Sequence, residues 1–237
     1  MVRQPVCVGL AAPGIVGEER RRPAGPARPT GHGATAGGRA RWPHRAAGAA
    51  MIRAFIAIDL PDEVRAAIEA VQARLQRAHT GVKVSWTKIA NLHLTLQFLG
   101  YVEEPTIQKI SAALGEVAGQ HAAFDVPVGG VGAFPNERTP RVLWVGCRDD
   151  GRLGALARDV QTAMQAFGFA PEQREFTAHL TLGRVKHSRP DAALTRALDS
   201  IKDCACGMAR VDAIHLFQSE LHPAGSIYTK LSSHKLR

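Results

Sequence analysis

Apolar residues along this chain fall into two rhythms, one alternating as in a strand and one recurring every three to four residues as in a helix. The pair of rhythms occurs twice. Arg53-Ala54-Phe55-Ile56-Ala57-Ile58 has strand character, and Val64, Ile68, Val71 and Leu75 then repeat at helical spacing behind Pro61, Asp62 and Glu63. A proline and acids suit the first turn of a helix, so the spacing predicts one from Pro61 to about Ala78. After a short aliphatic run at Leu94, a helical pattern spans about Glu104 to Gly119 and a strand-like segment spans Phe124 to Phe134. The second round repeats this order. Arg141 to Gly146 reads as a strand, and Leu153, Leu156, Val160, Met164 and Phe167 as a helix stopped by Gly168. An aliphatic run at Leu180, a helical pattern from about Asp191 to Ile201 and a strand from Ala209 to Gln218 complete it. Each half reads as β-α-β-α-β, and two like units bury their apolar faces together or on a shared sheet core.

The halves also share a tetrapeptide. His93-Leu94-Thr95-Leu96 returns as His179-Leu180-Thr181-Leu182, followed closely by Gly100 or Gly183. In a strand, His and Thr of each copy face one way and the two Leu face the core. Related halves set such motifs symmetrically about one cleft. Imidazole exchanges protons near neutrality, with an ordinary pKa of about 6.5, so two of them can serve as acid and base together.

Composition separates a leader from the rest. Residues 1–50 hold eight Arg, two Glu, six Pro and nine Gly with hardly any periodic apolar pattern, and this segment is expected to be disordered. It carries +6 of the chain's net +9, so the folded part is only mildly basic. Met51, directly before the first strand, is the expected true start. An Arg-rich presequence or a nucleic-acid-binding arm is the functional alternative. No segment of the leader is apolar for long enough to span a membrane. Cys7, Cys147, Cys204 and Cys206 match no disulfide framework or zinc pattern, which fits a reducing cytoplasm. Cys204-Ala-Cys206 is the weak case for a soft metal, with no further ligand at a useful spacing. Neither motif has an acid or a further His at ligand spacing, so metal-free and cofactor-free chemistry is expected.

Transfer at a phosphodiester suits such a pair. The attacking oxygen must lose a proton while the leaving oxygen gains one, each transfer contributing about 10²- to 10⁴-fold. Threonine hydroxyls on the same face can donate hydrogen bonds to nonbridging phosphate oxygens. An RNA-binding module without turnover and a metal-dependent nuclease are the competing classes.

The two His-x-Thr-x motifs resemble those of the two-histidine phosphoesterases. So do Phe55-Ile56-Ala57-Ile58-Asp59-Leu60-Pro61, the stretch Asn91 to Gly100, the run Phe176 to Val185, Arg141-Val142-Leu143-Trp144, Ser219-Glu220-Leu221 and Tyr228. Within that superfamily the likeness is to bacterial RNA 2′,3′-cyclic phosphodiesterases, also called 2′-5′ RNA ligases, and it covers residues 51–237. The resemblance implies a bilobal α+β fold, a pseudo-two-fold duplication with antiparallel sheets facing a central groove. It further implies opening of a terminal RNA 2′,3′-cyclic phosphate to a 2′-phosphate, with ATP-independent 2′-5′ joining, or action on small cyclic nucleotides, as the alternatives. By the same likeness His93 is the general acid, His179 the general base, and Thr95 and Thr181 hold the phosphate. The implied partner is RNA bearing the cyclic end, tRNA halves among the candidates, met by a monomer. Ala178 departs from the family, in which a proline often precedes the second motif.

Arg184, five residues past His179, is the first candidate for a substrate phosphate, ahead of Lys88, Arg138, Arg174 and Lys186. Phe98 and Trp86 are able to stack a base but are expected in the core beside aliphatic strands. His79, His121, His187, His215, His222 and His234 show no partner pattern and are given no role.

Overall fold

β1 (Met51–Ile58) is apolar on both faces, and in the computed structural model both faces are covered. The model describes residues 50–78, 81–172, 174–223 and 225–237, all within one compact unit. The expectations for the leader and for His79 fall outside these residues. After β1 come α1 (Asp62–Gln76), β2 (Val84–Trp86), a 3₁₀ turn (Ile89–Asn91), β3 (Leu94–Glu103), α2 (Glu104–Gln120) and β4 (Phe124–Phe134). The second round supplies β5 (Val142–Cys147), α3 (Arg152–Gln165), β6 (His179–Val185), α4 (Ala192–Asp199), β7 (Ala205–Val211), β8 (Ala213–Glu220) and β9 (Ile227–Lys235).

Two antiparallel sheets result, ordered β3-β1-β8-β9 and β2-β6-β5-β4-β7. They do not correspond to one sheet per half. β4, which closes the first half, pairs with β5, and β8, which closes the second half, pairs with β1. Each sheet therefore repeats one core, β3-β1-β8 in the first and β6-β5-β4 in the second; the first takes β8 from the second half, and the second takes β2 and β4 from the first.

The predicted helices form with small shifts at their ends, which is normal for helix boundaries. Val64, Ile68, Val71 and Leu75 are the buried stripe of α1, and Leu153, Leu156, Val160 and Met164 that of α3. Asp191 caps α4 by accepting the Leu194 N–H at 2.9 Å. The strand expected from Ala209 to Gln218 is two strands, parted at Asp212. β2 has only three residues, and β9 is a largely exposed edge strand rich in Ser, Thr and Lys, so neither carries an apolar rhythm.

One apolar cluster joins the helices to the inner faces of both sheets, with Ile56, Ile68, Ile110, Leu143, Leu156 and Leu180 inaccessible to solvent. Each such side chain contributes about 1.5–3 kcal/mol by its burial. A second, smaller cluster of Phe55, Ala57 and Phe217, with Tyr228 against it, covers the other face of β1 and β8. That face carries the candidate site.

Candidate active site

His93 stands one residue ahead of β3, and His179 is the first residue of β6. Their rings are anchored alike. His93 Nδ1 lies 2.8 Å from the Asn91 carbonyl oxygen and His179 Nδ1 lies 2.7 Å from that of Thr177, two residues upstream in both cases. A carbonyl oxygen can only accept, so each Nδ1 carries a hydrogen and donates it. The neutral rings thus offer a lone pair at Nε2 and the protonated rings an N–H there.

The turn behind His93 is pinned from three sides. Arg65 Nη1 donates to the carbonyls of Ile89 and Leu92, both at 2.9 Å, and its Nε donates to the Leu60 carbonyl at 3.3 Å. The same guanidinium pairs with Asp59, which Lys230 also meets at 3.1 Å. Asn91 Nδ2 donates to the Ser226 carbonyl at 2.7 Å. The start of β6 is held by Cys147, whose N–H donates to the Ala178 carbonyl at 3.0 Å, so alanine in place of proline leaves this strand in its ladder.

Surroundings distinguish the two rings. His93 lies on the aromatic cluster, its centroid 4.6 Å from that of Phe55 and 5.3 Å, edge to face, from that of Tyr228. His179 meets Phe134 edge to face at 5.0 Å. Burial holds the His93 pKa below the ordinary histidine value, its bond to Asn91 opposes this, Arg65 adds to the lowering and Asp59 counters it. On the same face His215 is buried, and its Nδ1 has no hydrogen-bond partner among the described residues.

Leu94, Leu96, Leu180 and Leu182 are all buried, as the motif requires. Strict alternation would bury Phe98 with them, yet Phe98 is 55% exposed. The cause is a β-bulge. β1 and β3 pair Ala57 with Thr95, Ile56 with Gln97 and Phe55 with Phe98, which leaves Leu96 as the extra residue and moves Phe98 to the face of Thr95. The second motif repeats the device, with Trp144 opposite Thr181, Leu143 opposite Gly183, Val142 opposite Arg184, and Leu182 extra. Phe98 and Arg184 thus occupy equivalent places, each turned onto the face of its motif threonine.

Two buried glutamines attend these bulges, each from a helix of the opposite half. Gln72 of α1 donates from Nε2 to the Leu182 carbonyl at 3.1 Å and the Thr87 carbonyl at 2.9 Å. Gln161 of α3 donates to the Leu96 carbonyl at 3.5 Å.

A cavity of about 540 Å³ opens between the motifs, lined by Thr95, Phe98, Phe134, Arg141, Gln161, Arg174 and His179 among others. Residues of both motifs therefore meet in one space. His93, Thr181 and Arg184 are not among its lining residues, although Val142, the ladder partner of Arg184, is. Of the other candidate cations, Arg174 lines this cavity, whereas Arg138 lines a separate one beside Arg196. The Lys88 side chain lies beside Gly225, and the Lys186 N–H donates to the Lys83 carbonyl. Arg141 was not singled out as a cation; it directly precedes the apolar run of β5. Trp86 packs against the main core as expected.

Burial pushes the thiols of Cys147 and Cys206 up to about 12, with Cys204 adding to the shift at Cys206. Among the described residues no three His, Cys, Asp or Glu side chains gather in a metal-holding group, and no helix is long and apolar enough to cross a membrane.

The model of the LigT-like phosphoesterase family matches this chain twice, over residues 58–144 and 145–228, one match per half. Among curated proteins, an RNA 2′,3′-cyclic phosphodiesterase of Archaeoglobus fulgidus is 38% identical over 181 residues, covering 76% of this chain and 98% of that protein. One of Methanothermobacter thermautotrophicus is 34% identical, covering 78% and 99%. Among solved structures, TT0787 of Thermus thermophilus aligns with a TM-score of 0.65 at 32% identity, covering 78% of this chain and 98% of that one. E. coli LigT complexed with 3′-AMP aligns with a TM-score of 0.63 at 26% identity, covering 79% and 99%.

Proposed function

The chain belongs to the LigT-like phosphoesterases, and from that membership we propose that it opens the 2′,3′-cyclic phosphate at an RNA end to a 2′-phosphate by acid–base catalysis between His93 and His179. The observation that carries this is the shared cavity, into which the first motif brings Thr95 and the second brings His179, with both rings anchored at Nδ1. His179 Nε2 takes a proton from water as its oxygen attacks phosphorus, and His93 Nε2–H gives one to the departing 3′ oxygen. Burial lowers the His93 pKa, which makes its imidazolium a stronger acid and also a less populated one. Thr95 and Thr181 donate to the nonbridging oxygens, Arg184 meets a substrate phosphate, and Phe98 offers a flat surface to the terminal base. An RNA 5′-hydroxyl in place of water would form a 2′-5′ linkage by the same proton transfers. No step in this scheme calls for a metal or cofactor.

The catalytic domain is residues 51–237, acting as a monomer in the cytoplasm on RNA ends such as those of tRNA halves. The unpaired thiols Cys147, Cys204 and Cys206 support that compartment. The test is turnover by the full chain, in EDTA, of an RNA ending in a 2′,3′-cyclic phosphate, with the product end identified. A 2′-phosphate is expected, and His93→Ala and His179→Ala should each lower kcat by about 10²- to 10⁴-fold. Activity abolished by EDTA and restored by a divalent ion, or alanine variants as fast as the parent, would refute it.

A further inference from the structure

β3 departs from its ladder a second time. Phe55 pairs with Phe98 and Ala54 with Gly100, so Leu99 is also extra, and Arg53 then faces Tyr101. Gly100 supports this with a φ of 72°, which costs glycine little. With two slips, Thr95, Phe98 and Tyr101 emerge on one face at every third position. Phe98 and Tyr101 are each 55% exposed, an unusual state for two neighbouring aromatic side chains. Two paired positions separate them, a distance of about 6.8 Å along an antiparallel strand.

Arg53 lies beside Tyr101 on this face. Its Nη1 donates to Ser219 Oγ at 2.6 Å, and Ser219 is itself buried. The guanidinium is thereby anchored, with no carboxylate partner among the described residues and further N–H groups to donate. Aromatic faces in file beside a fixed cation match an unstacked single strand, in which successive bases stack and phosphates need positive charge.

We propose that Tyr101 and Arg53 form a subsite for the nucleotide preceding the cyclic phosphate, Tyr101 stacking its base and Arg53 meeting its phosphate. The inference rests on the RNA reading above and extends it: the preferred substrate is an oligonucleotide, not a mononucleotide. Continuity with the cavity wall at Phe98 assigns the surface to RNA.

The test compares the full chain on adenosine 2′,3′-cyclic phosphate and on an adenylyl dinucleotide with the same cyclic end. Tyr101→Ala should lower kcat/KM about tenfold on the dinucleotide, the scale of one lost base stack. On the mononucleotide it should change nothing, because no part of that substrate reaches Tyr101, and Tyr101→Phe should restore the dinucleotide rate. Arg53→Gln should also weaken the dinucleotide and flatten its salt dependence. Equal effects of Tyr101→Ala on both substrates, or none on either, overturn the subsite while leaving the reaction intact. A change only in sedimentation would assign the surface to a second copy of the chain. A parent that opens neither substrate overturns the reaction and the subsite together.

Discussion

Replacing Gln72 by methionine tests whether the bulge at Leu182 aims Arg184, the arginine proposed to meet a substrate phosphate. Gln72 is 6% exposed, and its amide donates to two carbonyls, Thr87 at 2.9 Å and Leu182 at 3.1 Å. Methionine fills a similar volume without a donor, so the change is confined to hydrogen bonding. Two bonds at a net of about 1 kcal/mol each, plus part of the penalty for a carbonyl left unsatisfied, give a destabilisation of about 2–3 kcal/mol. The Leu182 carbonyl keeps the Thr87 N–H at 2.9 Å, which limits the loss. For a domain of this size, about 2–4 °C of Tm per kcal/mol puts the expected fall near 5–10 °C by calorimetry.

Kinetics decide the rest. If the bulge relaxes into regular alternation, Arg184 turns to the opposite face of β6, because a slip of one residue exchanges the faces. Gln72→Met should then raise KM for cyclic-phosphate RNA about tenfold with a smaller change in kcat, as Arg184→Gln should directly, since one charge-assisted bond is worth about 1.5–3 kcal/mol. Gln161→Met should act in the same direction and more weakly, its bond to Leu96 being 3.5 Å long. A fall in Tm with unchanged KM would refute the aiming role, and an unchanged Tm would refute the bonding account.

Arg65→Met should lower kcat at least tenfold with little change in KM, because the carbonyl that orients His93 sits in the turn Arg65 pins; equal KM and kcat effects in steady-state assays would argue against a positioning role. The histidines also set a pH dependence of stability. His93, His215 and His234 all have pKa values lowered from 6.5, chiefly by burial. Between the lowered values and 6.5 the unfolded chain binds more protons than the folded one, so stability is full above 6.5 and declines as pH falls below it. Tm should drop as pH falls below about 6.5, and His215→Leu should shrink that drop; an unaltered slope would exonerate His215.

Much of this architecture was legible from the chain. Helices announced themselves by stripes such as Leu153, Leu156, Val160 and Met164, which stayed buried. The repeated motif located both histidines. What escaped were features that periodicity does not encode. A bulge leaves no mark in a strand's apolar pattern, so Phe98 read as core when Leu96 had in fact shifted the register. Gln72 and Gln161 stand out in no apolar rhythm, because the carbonyls they bond at the bulges lie more than sixty residues away. Pairing of β4 with β5 and of β8 with β1 likewise depends on contacts between halves, which the order of elements within one half does not specify.

Those contacts tie the two halves of the duplication together around the motifs. His93 belongs to the first half, yet Phe217 and Tyr228, which pack around it, arrive on β8 and β9 from the chain's end. His179 belongs to the second half and is met by Phe134 from β4 of the first. The bulge of each motif is bonded by a glutamine from the other half's helix. Strand, aromatic support and bulge anchor all cross the pseudo-two-fold, so the surroundings of each imidazole are built partly by its twin half. The halves need not be chemically equal for this. A ring on an aromatic bed and a ring beside a single phenylalanine keep the same tautomer and differ in their surroundings, a difference that the proposed reaction, with one proton donor and one acceptor, would use.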